Sequence, residues 1–151
     1  MKREEAIDYN IKAAWHAISR MYNQQAIKYG ITTSIGFVLL NINTKEGTPA
    51  TKIAPLMGLE SRSLTRMLKN MEDKGLIYKK PDADDKRSVR IYLTDLGIEK
   101  KAISRQTVKT FNEAVFSKID EQQLASFYNT INTINTIIEE DNIYMEQLAM
   151  S

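Results

Sequence analysis

The chain has 151 residues, 42% of them hydrophobic and 26% charged, with a net charge of +2, one histidine and no cysteine. One domain with its own core is the default at this size, and a dimeric or two-part chain also fits. The missing cysteines exclude disulfides, thiolate catalysis and cysteine-based redox sensing, and with a single histidine they leave no ligand set for zinc or copper. No apolar run approaches the ~20 residues of a membrane span, and MKREEAIDYN lacks the apolar stretch of a secretory signal, so a cytoplasmic protein with no membrane partner is expected.

Charge is distributed unevenly. From Phe111 onward there is one cation, Lys118, against seven acids, which leaves twenty cations against twelve acids in residues 1–110, a net of +8 there. A basic body with an acidic tail points to a polyanion as partner for the body.

Ile7, Ile11, Ala14 with Trp15, Ile18 and Met21 with Tyr22 recur at helical spacing, which predicts a long first helix stopped by Gly30. TTSIGFVLLNINTKEG opens on hydroxyl caps and closes at Gly47, and reads as a second helix. TPATKIAPLMG puts Pro49 at a first helical position. Pro55, which removes a backbone donor and crowds the preceding turn, makes that helix short or kinked. ESRSLTRMLKNMEDKG carries one apolar stripe, Leu64, Leu68 and Met71, and ends at Gly75. The tight MGLES turn between these two helices is the signature of a helix-turn-helix.

The period then changes. LIYKK and SVRIYLT are β-rich, with Val89, Ile91 and Leu93 alternating with polar or aromatic neighbours, and the turn-forming PDADDK between them makes a β-hairpin. A long helix follows from a Thr94 cap. Another starts at Asp120, with Gln123 placed as in a capping box. The triple Asn-Thr-Ile repeat from Asn129 to Ile137 could by itself be a strand, because β-branched residues are poor helix formers. Leu124, Phe127 with Tyr128, Ile131, Ile134 and Ile138 nevertheless keep a helical stripe through it. The predicted architecture is mainly α with a small β-hairpin wing: a winged helix-turn-helix flanked by long amphipathic helices whose stripes need a partner.

SRSLTR places small hydroxyls and arginines at the start of a candidate recognition helix, a shape the major groove admits. Arg62 and Arg66 lie four apart on one face, and either suits the O6 and N7 of guanine. Ser61, Ser63 and Thr65 are short enough to let the backbone approach phosphate. The same pattern also fits an ordinary solvated helix face. No nucleophile–base constellation and no phosphate-cradling glycine loop appears, so neither an enzyme nor a cofactor is expected.

GLESRSLTRMLKNMEDKGLI followed by DKRSVRIYLTDLG resembles the MarR family of bacterial transcription regulators, including its wing spacing at Asp85, Arg87, Leu93, Thr94 and Gly97. The order of elements is similar over nearly the whole chain. The resemblance implies a homodimer, a repressor by type, on a pseudo-palindromic DNA operator. Residues 1–30 and 98–151 would supply the dimerisation helices and residues 31–97 the DNA-binding domain. It implies contacts from Ser61, Arg62, Ser63, Thr65, Arg66 and Lys69 in the major groove and from Arg87 in the minor groove, where a narrow, electronegative groove suits arginine.

Lys79, Lys80, Lys86 and Arg90 would meet the DNA backbone from the hairpin's flanks, and Asp85 would orient Arg87 or tie the wing down. Pro55 departs from the family's pattern and bears on any phosphate contact from Thr51 or Lys52. The family also implies a small-molecule effector, aromatic in many members, near the first helix, where Trp15, His16 and Tyr22 are the candidates. Helical spacing with Ile11 and Ile18 favours Trp15 as a core residue and His16, one residue off that stripe, as a partly exposed one over ligand contacts. The rival reading is a winged helix used only for protein–protein contact.

Overall fold

The structure, a computed structural model, describes residues 1–145. After a single 3-10 turn at Arg3–Glu5, the elements are α1 (Ile7–Lys28), α2 (Thr33–Leu40), β1 (Thr48–Pro49), α3 (Ala50–Met57), α4 (Ser61–Asp73), β2 (Ile77–Pro81), β3 (Val89–Leu93), α5 (Asp95–Phe116) and α6 (Glu121–Glu140). The chain forms two compact units, Met1–Lys109 and a second from Thr110 onward.

The core of the first unit gathers one side of every short element. Val38, Leu39 and Ile42 follow the course of α2, Ile53 comes from α3, Met71 from α4 and Ile91 from β3, all essentially without solvent contact. Leu64 and Leu68 complete the α4 stripe, with Met57 and Met67 packed at its margin. Truncating such a side chain to alanine costs about 2–5 kcal/mol, so this cluster holds the helix-turn-helix together.

Local chemistry sets the element ends. The Thr32 hydroxyl accepts the Ile35 N–H at 3.1 Å and caps α2. Gly58 and Gly75 take left-handed φ of 64° and 73° just past α3 and α4. Beyond Gly75, the Leu76 N–H reaches back to the Met71 carbonyl at 2.9 Å. Asp120 and Gln123 form the reciprocal capping box of α6, at 2.8 and 3.2 Å. The Asn-Thr-Ile repeat is helical, and the Thr130 and Thr133 hydroxyls donate back to the Ser126 and Asn129 carbonyls.

Two expectations are corrected. The second helix stops at Leu40 and does not run to Gly47. Asn41 Nδ2 bonds the Phe37 carbonyl, and Asn43 Oδ1 accepts the N–H groups of Lys45 and Glu46, so asparagine side chains replace the helical ladder. The loop that results leads into a strand the pattern did not predict. β1 pairs with β3 (Thr48 with Ile91, Pro49 with Arg90) and completes a sheet of order β1-β3-β2. Pro49 thus ends an edge strand, where its missing donor is harmless, and precedes α3 as its cap. Pro55 sits inside α3, which at eight residues is as short as expected.

The second correction is Trp15. It is not core: it stays 50% exposed, as do Ile7 and Ile11 on the same stripe of α1 to a similar degree. Its only ring neighbour among the described residues is Phe37, at 6.1 Å. In the second unit α6 buries no residue, and Phe127, Tyr128 and Ile138 are largely exposed.

Candidate nucleic-acid interface

The stripe of Leu64, Leu68 and Met71 anchors α4, and this anchoring turns its other face outward. Ser61, Arg62, Thr65, Arg66 and Lys69 are exposed and Ser63 is half-buried. Four residues of helix separate Arg62 from Arg66 by about 6 Å of rise. The Thr65 hydroxyl donates to the Ser61 carbonyl at 2.8 Å, which uses its proton and leaves its lone pairs. The side chains of Arg62, Arg66 and Lys69 have no ion pair among the described residues. The first turn of α3 adds exposed Thr51 and Lys52.

The wing is built from β2, β3 and the turn joining them. Asp85 organises the tip: Oδ1 accepts the Arg87 backbone N–H at 3.0 Å, Oδ2 meets the Ser88 hydroxyl at 3.4 Å, and its carbonyl accepts the Ser88 N–H at 2.9 Å. The carboxylate therefore holds the backbone of the turn and leaves the guanidinium alone. Lys86 and Arg87 project into solvent. Arg90 is the expected contact that lies elsewhere. Its guanidinium, partly buried, faces Asp82 at 3.5 Å and donates to the Glu46 and Gly47 carbonyls at 3.0 and 3.3 Å. It braces the wing against the loop before β1 through Nε and Nη1.

The base of the wing explains the rest of the motif. Leu93 is buried. The Thr94 hydroxyl accepts the Gly97 N–H at 3.0 Å and donates to the Gly75 carbonyl at 2.6 Å, capping α5 and latching it to the end of α4. A Cβ at Gly97 would lie 2.0 Å from the Leu76 carbonyl oxygen, so only glycine fits.

Of the three candidate effector residues, Tyr22 lines an apolar cavity. Phe37, Tyr29, Ile103, Ser104 and Val108 share the lining of this partly open cavity of about 40 Å³. Burial raises the Tyr22 hydroxyl pKa. Trp15 is not in that lining, though its ring lies 6.1 Å from that of Phe37, which is, and His16 lies in an open groove with Lys12 and Arg20. The α2 and α5 lining was not read from the sequence, because those residues are ordinary helix-stripe positions until the helices are packed.

A model of the MarR family matches residues 31–89. The HTH-type transcriptional regulator TtmR of Methylorubrum extorquens (strain PA1) is 34% identical over 89 residues, which is 59% of this chain and 46% of that protein. The match thus spans about half the length of this relative. The organic hydroperoxide resistance transcriptional regulator of Bacillus subtilis (strain 168) is 33% identical over 105 residues, 68% of this chain and 71% of that one. The chain belongs to the MarR family. It is a winged-helix transcription regulator by class, not an enzyme. The MarR-family fold extends over most of the chain: the crystal structure of the S. aureus MepR–DNA complex is similar at a TM-score of 0.80, with 21% identity over 87% of this chain and 97% of the other. Among the described residues no helix is long and apolar enough to cross a membrane.

Proposed function

We propose that this MarR-family protein binds double-stranded DNA as a cytoplasmic homodimer on a pseudo-palindromic operator and represses transcription until a small, aromatic molecule loosens it. The observation that carries the reading is the uncommitted row of Arg62, Arg66 and Lys69 on α4 together with the unpaired Arg87 at the wing tip. These side chains stand on a rigid, buried stripe and a tied turn. Ser61, Ser63 and Thr65 bring the start of α4 close to the backbone, and Lys86 adds a phosphate contact. Arg90 is assigned to the fold and not to DNA.

Support for the dimer comes from exposed apolar surface. Ile7, Ile11 and Trp15 line one stripe of α1, and Phe127, Tyr128 and Ile138 are open on α6. Large exposed apolar side chains on one helix signal an interaction site, and each unit carries such a helix. Support for an effector is the apolar cavity beside Tyr22. At about 40 Å³ it is smaller than the ~150 Å³ that holds a benzene ring, so a ring enters fully only if α2 or α5 gives way. Such movement would reach α4 through the shared core.

The test is duplex binding across salt. Affinity should fall steeply from 50 to 200 mM salt as phosphates are neutralised. Affinity flat over that range favours a protein–protein module instead. Arg66→Ala should cost ~1–3 kcal/mol on a duplex selected from a random library and much less on unselected DNA. Equal losses on both make Arg66 a phosphate contact.

A further inference from the structure

Nothing in the first unit bonds the Arg87 guanidinium, so its direction depends on the hairpin that carries it. A two-stranded ribbon twists strongly and is barely stable alone. β1 supports β3 only at Thr48 and Pro49. The inner face of the hairpin is fixed by Ile77, Ile91 and Leu93, all buried.

The outer face has its own construction. Tyr78 and Tyr92 are register partners, and their rings stack with centroids 5.3 Å apart and planes 13° from parallel. Lys80, next on the same face of β2, places Nζ 5.5 Å from the Tyr78 centroid and 5.8 Å from that of Tyr92. On the other side of Tyr92 lies Gly47, one residue before the Thr48–Ile91 pair. A Cβ there would come within 2.8 Å of the Tyr92 ring, so the ring is seated directly on glycine backbone.

Lys80 also pairs across the ladder with Arg90, a like charge. Arg90 turns toward Asp82 and the loop carbonyls, and Lys80 turns over the rings, so the two cations are drawn apart. Tyr78 remains 40% exposed. Burial alone does not account for an aromatic at that position, whereas stacking and the cation do.

We infer that the Tyr78–Tyr92 stack, capped by Lys80 and seated on Gly47, is a positioning device that fixes the twist of the wing so that Arg87 meets the duplex in one orientation. Tyr78 and Tyr92 are positioning residues and touch no DNA. The inference rests on the proposed role of Arg87 as a DNA contact.

The experiment is a double-mutant cycle on the full-length protein, with a duplex that the unaltered protein selects from a randomised library. Tyr78→Leu should weaken binding about three- to tenfold, the scale of a lost aromatic pair, while Tyr78→Phe binds like the parent. In an Arg87→Ala background, Tyr78→Leu should cost nothing more. Independent losses that multiply in the double variant overturn the positioning role and leave Arg87 as a contact. A loss for Tyr78→Phe equal to that for Tyr78→Leu also overturns it, since the hydroxyl would then be the active group. An Arg87→Ala variant that binds like the parent removes the underlying reading, and the inference with it. If Tyr78→Leu does not fold, Tyr78→Thr, which keeps strand propensity without a ring, takes its place in the cycle.

Discussion

At the base of the wing, Leu93 is buried, Thr94 latches α5 to the end of α4, and Gly97 lets α5 rest on the Leu76 carbonyl. At its tip, Asp85 ties only backbone and hydroxyl, and the side chains of Lys86 and Arg87 stay in water. These residues belong to one spacing pattern in the sequence, yet their physical demands are opposite. Base residues are dictated by packing inside the chain. The Lys86 and Arg87 side chains have no bonding partner among the described residues, so their chemistry answers to whatever docks there. A spacing motif can therefore combine a folding requirement with a recognition requirement, and only the contacts separate them.

Three substitutions would break or sharpen that contrast. Gly97→Ala should have the largest effect, about 3 kcal/mol of stability or loss of folding, because the added methyl meets backbone and not a flexible side chain. Urea denaturation reads it, and a cost below 1 kcal/mol would mean that α5 can lift off Leu76. Arg87→Ala should leave the melting temperature unchanged and cost ~1–3 kcal/mol of affinity for a selected duplex. A lowered melting temperature would erase the distinction between tip and base. Asp85→Ala should be mildest, about 0.5–1.5 kcal/mol of duplex affinity, through a loosened turn. If it equals Arg87→Ala, Asp85 acts on the guanidinium after all.

What could be read from the sequence follows how local the chemistry is. The capping box at Asp120, the Thr94 cap, the glycines after α3 and α4 and the Leu64–Leu68–Met71 stripe are all set by residues within a few positions of one another, and they were legible. β1 was not, because two residues make a strand only once Ile91 and Arg90 arrive beside them. Arg90 looked like a phosphate contact because its acceptors, the Glu46 and Gly47 carbonyls, are more than forty residues away. The end of α2 was misread where asparagine side chains compete with the helix ladder. Trp15 followed a helical stripe correctly, but a stripe does not say whether its cover lies in the same chain. Tyr78 and Tyr92 became a pair only through strand register.

The Thr94 latch has a consequence for how the wing can change. Thr94 bonds Gly75 through its hydroxyl and Leu76 through its N–H, at 2.6 and 3.1 Å. Those two bonds close the chain into a ring whose interior is the whole hairpin. Everything between the clasp points can be lengthened or resurfaced at its tip while the ends stay fixed to the core, since extending a closed loop adds little entropy cost per residue. The wing is in that sense a cassette, and a lineage could retune which groove it enters without reopening the question of whether the protein folds.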